Sequence, residues 1–319
     1  MWITQNMDSE NENVVNDSWH LLMRESDKLP TGIGNIFAAV NILLSITATL
    51  GNVLILVALY KVSFVQAPTK LLLRSLTVTD LCVGVVVQPL FVPFLLYPDL
   101  MLKIKLFTPI LLAQSTLSYT LCPVSFFTAT AMTIDRFLAL RLRLRYRNVV
   151  NLPRVRVAIS LCWLIGIYLG LTSQFWSYSI TLRQIAVCFG LWIFISLTSY
   201  TMICLTLRKQ RAQVHANNGP LSSNSGIAPS RLAIYKKTLF GIAWVQFALT
   251  ACYFPLVILV FIEMATNLSG EKADILWMTA VTLIYFNSSI NPVLYCWKMK
   301  QVRRAAKVTI LQFFCCSSS

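Results

Sequence analysis

The most constraining feature of this sequence is a series of seven long apolar segments separated by short polar stretches. A helix needs about 20 predominantly apolar residues to cross the hydrocarbon core of a bilayer, and each segment is long enough. The pattern therefore predicts an all-α membrane protein, built as a seven-transmembrane helix bundle. The predicted spans are Ile33–Tyr60, Thr69–Leu96, Leu106–Leu140, Val155–Trp176, Ile185–Leu207, Lys237–Glu263 and Ile275–Trp297.

Composition supports a membrane environment. Of the 319 residues, 56% are hydrophobic and 12% are charged. Soluble domains usually contain about a quarter charged residues, so most of this surface faces something other than water. The net charge is +15, but the basic residues lie between apolar spans and not on a polar fold, which argues against a nucleic-acid partner.

Charge placement predicts the orientation of the chain. When the 27 basic residues are assigned to the two ends of the spans, 21 fall on one side and 6 on the other. The positive-inside rule puts the larger group in the cytoplasm. We therefore expect an extracellular N-terminal tail over residues 1–32, the bundle over residues 33–297, and a cytoplasmic amphipathic helix with a tail over residues 298–319.

One acidic residue lies in the interior of a span. Asp80 is in the second span, within the sequence Ser-Leu-Thr-Val-Thr-Asp-Leu. Because a charge in lipid is costly, an ionisable residue at this depth indicates a functional site by default. The alternative is a carboxylate that neighbouring hydroxyls hold for packing alone.

Short motifs recur in chain order along the spans. They are Gly51–Leu54 (GNVL), Leu76–Asp80 (LTVTD), Asp135–Phe137 (DRF), Trp163, Cys252–Pro255 (CYFP) and Asn291–Tyr295 (NPVLY). Together they resemble the signatures of the rhodopsin-like (class A) G-protein-coupled receptors, and the chain is loosely similar to the adenosine and melanocortin receptors. The resemblance implies a plasma-membrane receptor, not an enzyme, that binds an extracellular ligand and activates a heterotrimeric G protein.

The resemblance also implies an allosteric sodium ion, the only cofactor that we expect. In such receptors the ion binds the acid of the second helix and polar groups of the third and seventh, and it favours the inactive state. Oxygen ligands suit a hard cation, and one carboxylate neutralises its charge. A hydrogen-bonded polar cluster with water and no ion is the alternative. The matching positions are Asp80, Ser125, Asn287, Ser288 and Asn291.

A second set of positions matches the family's activation and G-protein-coupling residues. An adjacent acid and base, Asp135 and Arg136, can pair at the cytoplasmic edge. Two prolines remove helix hydrogen bonds and create kinks. The acid that the family often adds at the start of the sixth helix is missing from Tyr235–Lys237. The full set is Asp135, Arg136, Leu144, Tyr200, Pro255, Pro292 and Tyr295.

The positions that match the family's ligand pocket are mostly apolar with a few hydroxyls. Such a lining suits a neutral small molecule, a lipid or part of a peptide, and helix packing is the alternative role of each residue. Ser118 replaces the acid that binds amines and Tyr285 replaces the lysine that binds retinal, so we expect neither ligand. The expected pocket residues are Ser118, Cys122, Tyr253, Val257, Val260, Val281 and Tyr285.

The sequence departs from the family pattern in its extracellular half. Leu111 replaces the cysteine of the family's disulfide, and the expected loop over Thr172–Arg183 contains no cysteine. Trp192 replaces the fifth-helix proline, and Tyr253 replaces the tryptophan that usually precedes Pro255 by two residues. We therefore expect a divergent member.

Modification and lipid contact are expected outside the bundle. Asn16 and Asn267 lie in glycosylation sequons on the predicted outside. Lys298–Gln312 is predicted to form an amphipathic helix on the anionic inner leaflet, so membrane lipids are expected partners. Cys315 and Cys316 follow it as a predicted palmitoylation site.

Two other classes fit seven spans less well. A transporter or proton channel needs a chain of ionisable groups across the membrane, and only Asp80 lies at mid-bilayer depth. A membrane enzyme needs clustered histidine, cysteine or acidic side chains, whereas His20 and His215 lie in opposite polar segments.

Overall fold

The computed structural model describes residues 31–61, 66–97, 107–142, 145–217, 228–266, 270–298 and 300–316. Some side chains inside these ranges also lie outside the described part, among them those of Arg136, Tyr200 and residues 209–246. Regular structure in the described ranges is helical throughout. The helices are α1 (Thr31–Lys61), α2 (Ala67–Cys82), α3 (Gln88–Leu96), α4 (Thr108–Leu142), α5 (Tyr146–Val149), α6 (Leu152–Phe175), α7 (Tyr178–Asn217), α8 (Ala228–Thr266), α9 (Glu271–Lys298) and α10 (Lys300–Cys316).

Seven crossings account for this helical arrangement. Among the described residues, six segments are long and apolar enough to span a bilayer: Gly32–Lys61, Ala67–Leu96, Thr108–Ala139, Leu152–Phe175, Ile180–Ser199 and Phe247–Thr266. The seventh crossing is α9, which packs against α1 and α8. Its hydropathy is lower because Asn287, Ser288 and Asn291 lie in its interior. Large apolar side chains such as Leu43, Leu164 and Phe194 face outward, as lipid contact requires.

The second span changes its helical geometry just after Asp80. A π-helical turn over Val83–Val87 joins α2 to α3. Pro89, in the first turn of α3, has no backbone N–H and so removes one hydrogen bond of the regular helix here. Such π-helical turns occur frequently at functional sites, because they rotate the side chains that follow.

The central helix of the bundle is α4, which contacts α2, α6, α7 and α8. It packs most extensively against α6, where Gly166 and Gly170 lie on the interface. A Cβ atom on either glycine would stand only 2.8 Å from a backbone oxygen of α4, that of Thr120 or Thr116. Small residues four apart let membrane helices approach closely, so this glycine pair sets the distance between the two spans.

The connection between α6 and α7 is much shorter than the sequence predicted. The expected loop over Thr172–Arg183 is wrong: α6 continues to Phe175, α7 begins at Tyr178, and two residues join them. The helix extends because Leu182 in its second turn is buried, with 4% of its side chain exposed. Burial in the bundle therefore overrides the polar composition of this segment.

The C-terminal helix α10 is amphipathic, as predicted, although it begins at Lys300 and continues to Cys316. Val302 and Ala306 are buried against the bundle, while Arg303 and Lys307 on the other side are exposed. The helix packs on α1 and α9. Its far end is tied to α1 by a hydrogen bond of 2.6 Å from Lys61 Nζ to Gln312 Oε1.

Candidate ligand cavity and buried polar cluster

The first candidate site is a polar cluster around Asp80, whose side chain is fully buried. Ser125 and Ser288 each donate a hydrogen bond of 3.0 Å from the hydroxyl to Asp80 Oδ1. Asn291 Nδ2 donates to Asp80 Oδ2 at 2.7 Å. The donors lie on α4 and α9, so the cluster joins three spans. Four of the five residues predicted for the sodium site are thus brought together.

The fifth predicted residue, Asn287, is buried one turn before Asn291 on α9 but donates no hydrogen bond to Asp80. Its Oδ1 atom has no hydrogen-bond partner among the described residues, and the same holds for Oδ1 of Asn291. The hydroxyl of Tyr295, one turn further along, is also buried without a described partner. Unpartnered buried acceptors cost about 1–3 kcal/mol each, so these oxygens are suited to a cation or to water.

The second candidate site is a cavity of about 210 Å³. It lies at the end of the bundle that carries the N-terminus of α1, because Phe94, Gln174 and Asp274 lie in the terminal turns of their helices at that end. Residues of α3, α4, α6, α7, α8 and α9 line it. Most of the lining is aromatic or aliphatic, as is usual for small-molecule sites.

The structure separates the predicted pocket residues into two groups. Val257 and Val260 do not line the cavity and are buried in helix packing instead, with exposed fractions of 7% and 0%. On α8 the cavity is lined by Tyr253 and Leu256, so the stripe that faces it passes beside the two valines. The predicted residues that do line the cavity are Ser118, Cys122, Tyr253, Val281 and Tyr285.

One wall of the cavity carries a hydrogen-bonded triad that joins α4 to α9. Gln114 Nε2 donates to Ser118 Oγ at 3.3 Å and to the hydroxyl of Tyr285 at 3.1 Å. The oxygens of Ser118 and Tyr285 are themselves hydrogen-bonded at 3.0 Å. Sequence reasoning found Ser118 and Tyr285 but missed Gln114, although its position four residues before Ser118 places it on the same face of the helix.

The wall formed by α6 carries a second amide. Gln174 Nε2 donates to Ser115 Oγ at 2.9 Å and to Ser173 Oγ at 3.1 Å. On α7, Gln184 Oε1 accepts a hydrogen bond of 3.4 Å from Thr172. Sequence reasoning missed both glutamines, because they lie in the segment that was expected to be a loop or at its border.

Aromatic rings form the part of the cavity that lies deepest in the bundle. Phe126 of α4 packs against Tyr253 of α8 and Phe189 of α7, with ring centroids 4.9 and 5.3 Å apart. The hydroxyl of Tyr253 donates to the backbone oxygen of Cys122 at 3.0 Å. Since Phe126 directly follows Ser125, which binds Asp80, the same turn of α4 contacts both candidate sites.

Trp192 joins α7 to α4 beside this aromatic cluster. Its ring lies 3.9 Å from that of Phe127, centroid to centroid, and its Nε1 donates to Thr130 Oγ1 at 2.8 Å. Thr130 Oγ1 is in turn hydrogen-bonded to Ser196 Oγ at 3.1 Å. Where the family usually has a proline, this chain thus has a side chain that bridges the two helices.

At the opposite end of the bundle, the carboxylate of Asp135 has two donors from other helices. Thr69 of α2 donates to Oδ2 at 3.0 Å, and the hydroxyl of Tyr146 in α5 donates to Oδ1 at 2.5 Å. The sequence singled out Asp135 but not Thr69 or Tyr146. These bonds hold the short connection after α4 against the bundle.

Several predicted residues fall outside the described part of the chain. This applies to Asn16, Leu144 and Asn267 as whole residues. For a second group only the side chains are outside it, and these residues are Arg136, Tyr200, Cys315 and Cys316. The two prolines of the predicted kinks, Pro255 and Pro292, lie inside α8 and α9.

Seven membrane-spanning helices, a ligand-sized cavity at one end and a buried acid beyond it are the features of a membrane receptor. A family model described as 7 transmembrane receptor (rhodopsin family) matches residues 51–177 and 169–295. The chain belongs to this family of rhodopsin-like receptors.

Named relatives extend over nearly the whole chain. Adenosine receptor A3 of Canis lupus familiaris is 26% identical over 304 residues, which cover 89% of this chain and 93% of the relative. Adenosine receptor A3 of Bos taurus is 25% identical over 306 residues, with 89% and 92% covered. Adenosine receptor A2a of Homo sapiens is 24% identical over 321 residues, with 88% and 74% covered.

The family confirms the class of function that the sequence predicted. The protein is a G-protein-coupled receptor of the plasma membrane, with several spans, that binds an extracellular ligand and signals through a G protein. Receptors of this family are not enzymes. Their role is to pass a conformational change from one side of a membrane to the other.

Proposed function

We propose that the extracellular ligand of this receptor binds in the cavity, and that binding changes the bundle through the aromatic cluster and the Asp80 cluster. The observation that supports this most is the continuity between the sites. Phe126 lines the cavity and packs against Tyr253 and Phe189, while Ser125 beside it binds Asp80. A ligand that shifts these rings therefore also shifts the donors of the buried carboxylate.

The proposed ligand is a small molecule, or the apolar part of a lipid or peptide. A cavity of about 210 Å³ is too small for a folded partner. A biogenic amine is disfavoured because Ser118 stands where an acid would be needed, and Tyr285 leaves retinal without its lysine. Since the relatives are named adenosine receptors, adenosine is the first probe, and it is uncharged with an aromatic base.

We propose that the N-terminus is extracellular and that the G protein binds the other end of the bundle. Two observations support this orientation. The basic residues concentrate at the end away from the cavity, as the positive-inside rule requires of the cytoplasmic side. The cavity opens at the end that carries the N-terminus of α1, where an extracellular ligand arrives.

We propose that the Asp80 cluster is an allosteric sodium site. The residues fit such an ion, since Asp80 supplies one negative charge and Ser125 and Ser288 supply hydroxyl oxygens. The unpartnered Oδ1 atoms of Asn287 and Asn291 add two neutral acceptors in the same region. A bound cation would favour the state in which these groups stay together. The competing possibility is a cluster that is satisfied by water alone.

We propose that Asp135 and Arg136, with Leu144, Tyr200 and Tyr295, form the activation and coupling residues. What supports this is position: Asp135 lies where α2, α4 and α5 meet, at the end of the bundle opposite the cavity. The prolines inside α8 and α9 each remove a helix hydrogen bond, which lets these helices bend between the two ends of the bundle.

We propose that α10 lies on the inner leaflet. Its exposed basic residues, Arg303, Arg304 and Lys307, suit anionic headgroups, and its exposed Ile310 and Leu311 suit the acyl boundary. Palmitoylation at Cys315 and Cys316 would extend this anchor. Glycosylation at Asn16 and Asn267 follows from the proposed orientation.

A signalling screen with two matched variants tests the proposed binding site. Cells that express the receptor are treated with a library of neutral small molecules, adenosine included, and cAMP and calcium are measured. Ser118→Trp fills the cavity, whereas Leu197→Trp adds the same ring to an outward-facing position on α7 that is 59% exposed. We expect the active compound to lose at least about tenfold in potency on Ser118→Trp only, because the indole ring occupies volume that the compound needs. A tenfold loss corresponds to about 1.4 kcal/mol of binding free energy.

Equal potency on both variants would place the ligand elsewhere. The absence of any response to the library would count against a neutral small molecule as the ligand.

A further inference from the structure

Donors and acceptors in the cavity wall that have no partner indicate which groups the ligand must carry. This inference rests on the proposed binding site. In the triad, Gln114 has two N–H hydrogens, and both are used, one on Ser118 and one on Tyr285. Its carbonyl oxygen, Oε1, accepts no hydrogen bond from the described residues. The orientation of the amide is therefore fixed, and its acceptor is left to the cavity.

The hydroxyl hydrogens of the triad can be counted in the same way. Ser118 and Tyr285 carry one hydrogen each, and a single hydrogen bond joins their oxygens. Whichever hydroxyl donates in that bond, the other hydrogen remains unspent within the triad. Ser118 is the more exposed of the two, since Tyr285 exposes only 2% of its surface. The triad therefore presents one hydroxyl donor beside one carbonyl acceptor.

The side-chain amide of Gln174 on α6 leaves a different group without a hydrogen-bond partner. Both N–H hydrogens of Gln174 are used, on Ser115 and Ser173. These two serine hydroxyls donate to backbone oxygens of their own helices, Leu112 and Gly170. No donor is left over here, and Gln174 Oε1 is the only group without a partner in this set of described residues. This wall of the cavity therefore presents an acceptor alone.

The charge of the residues that line the cavity limits the charge of the ligand. Among the lining residues that the structure describes, Asp274 is the only charged one, and it already has an interaction partner. The remaining surface is built largely from aromatic and aliphatic side chains such as Phe91, Phe94 and Ile185. An anionic ligand would lose its hydration without gaining a counterion, and a cation could find one only in Asp274, in the first turn of α9. The part of the ligand that lies against the triad is therefore uncharged.

We infer that the cavity selects a molecule with an uncharged, flat apolar body, an amide-like edge that pairs one donor with one acceptor, and a second N–H or O–H donor. The donor–acceptor edge faces Gln114 and Ser118, and the second donor faces Gln174. Gln114 is then the residue that determines specificity. An analogue that lacks the donor leaves Gln114 Oε1 desolvated without a partner, which is the stronger source of discrimination.

Direct binding to the purified full-length receptor in phospholipid nanodiscs tests this inference without a known ligand. The probes are isocarbostyril, a flat bicyclic lactam with the paired edge, N-methylisocarbostyril, which lacks the donor, and the naphthylmethylammonium cation. Affinities are measured by saturation-transfer difference NMR titration. We expect isocarbostyril to bind about tenfold more tightly than either of the others, as one hydrogen bond implies.

Two variants locate the effect. In Gln114→Leu the preference for isocarbostyril over its N-methyl analogue should fall to about one. In Gln88→Leu it should stay unchanged, because Gln88 is a buried glutamine that does not line the cavity. Equal binding of the two neutral probes to the unsubstituted receptor, or tightest binding of the cation, overturns the inference while the proposed binding site stands.

The proposed site itself fails by a different outcome. If isocarbostyril binds equally well to Ser118→Trp, whose cavity is filled, the ligand does not bind there. The affinity ratio of isocarbostyril to its N-methyl analogue is measured on the unsubstituted receptor. The inference is therefore tested even if Gln114→Leu does not fold.

Discussion

Asn291 and Asp80 are 211 positions apart in the chain, and a hydrogen bond of 2.7 Å joins Nδ2 of one to Oδ2 of the other. This bond ties the seventh span to the second at the depth of the buried acid. It also means that any movement of α9 around Pro292 changes the surroundings of Asp80. The two residues therefore couple the proline hinge to the proposed cation site.

The first prediction concerns Asp80→Asn. The asparagine still reaches its hydrogen-bond partners, so the receptor should fold, but the negative charge that holds a cation is gone. We expect the signal or ligand affinity of this variant to be the same in sodium and in potassium at about 0.15 M ionic strength. In the unsubstituted receptor, sodium should lower the signal and the ligand affinity relative to potassium.

Thr282→Val is the control for this measurement. Thr282 is a buried polar residue of α9, the helix that carries Asn291, but its hydroxyl accepts a hydrogen bond from Asn41 and it does not contact Asp80. It should keep the sodium response. A response that survives in Asp80→Asn would show that the cluster is held by water alone.

The second prediction concerns Tyr146→Phe, which removes the hydrogen bond to Asp135 Oδ1 and leaves the ring. A hydrogen bond to a charged group contributes about 1.5–3 kcal/mol, so the thermal midpoint should fall by a few degrees. G-protein activation should weaken because α5 is no longer held against α4. Nucleotide exchange on purified G protein measures this effect.

Tyr60→Phe makes the same chemical change at an exposed site, where the ring lies under Arg74 and is retained. We expect it to behave as the unsubstituted receptor. Equal effects of the two variants would mean that the bond between Tyr146 and Asp135 contributes nothing to coupling.

The third prediction concerns the glycines of α6. In Gly170→Ala the new methyl group would meet a backbone oxygen of α4 that cannot rotate away. The two helices must then separate, and overpacking of this kind costs about 1–3 kcal/mol. We expect less receptor at the cell surface and a lower thermal midpoint in detergent.

Gly190→Ala on α7 is the matched control, because no atom of another described helix lies within 4 Å of the added methyl group. It should be neutral or slightly stabilising, since alanine favours the helix. If the two alanine variants are equally stable, α4 and α6 do not pack as closely as described.

The fourth prediction concerns Trp192→Phe, which keeps an aromatic ring but loses the hydrogen bond to Thr130. We expect a loss of about 1 kcal/mol in stability, because Thr130 Oγ1 loses its indole donor in the interior. Basal signalling should change as well, since this bridge fixes α7 against α4. Trp176→Phe, at a 38% exposed site, should change neither. No difference between the variants would argue against a bridging role for Trp192.

Much of the architecture is predictable from local sequence. Apolar length and charge placement are properties of single segments, and in lipid every backbone polar group must be satisfied within its own helix. This is why the seven spans are found without a template, and why the ordered motifs around Asn52, Asp80 and Asn291 identify the family. The amphipathic α10 is likewise visible from its own periodicity.

The two candidate sites differ in how far the sequence predicts them. The polar residues around Asp80 stand out because each one is costly in a membrane and so needs a reason. Val257 and Val260 were expected at the pocket, but an apolar side chain in a helix gives no sign of which neighbour it faces. The rotation of α8 decides that, and it places Tyr253 and Leu256 on the cavity instead.

By itself the sequence determined that this chain crosses a membrane seven times, carries one acid at mid-depth and belongs to a receptor family. The tertiary structure decided which groups have their hydrogen bonds satisfied. Gln114 and Gln174 look alike in the sequence. Gln114 lies in a triad in which one hydroxyl hydrogen has no acceptor, whereas Gln174 lies between two serines whose hydroxyl hydrogens are both used. The reason is that hydrogen-bond partners here come from different helices, and helix rotation and packing, which the sequence does not display, choose them.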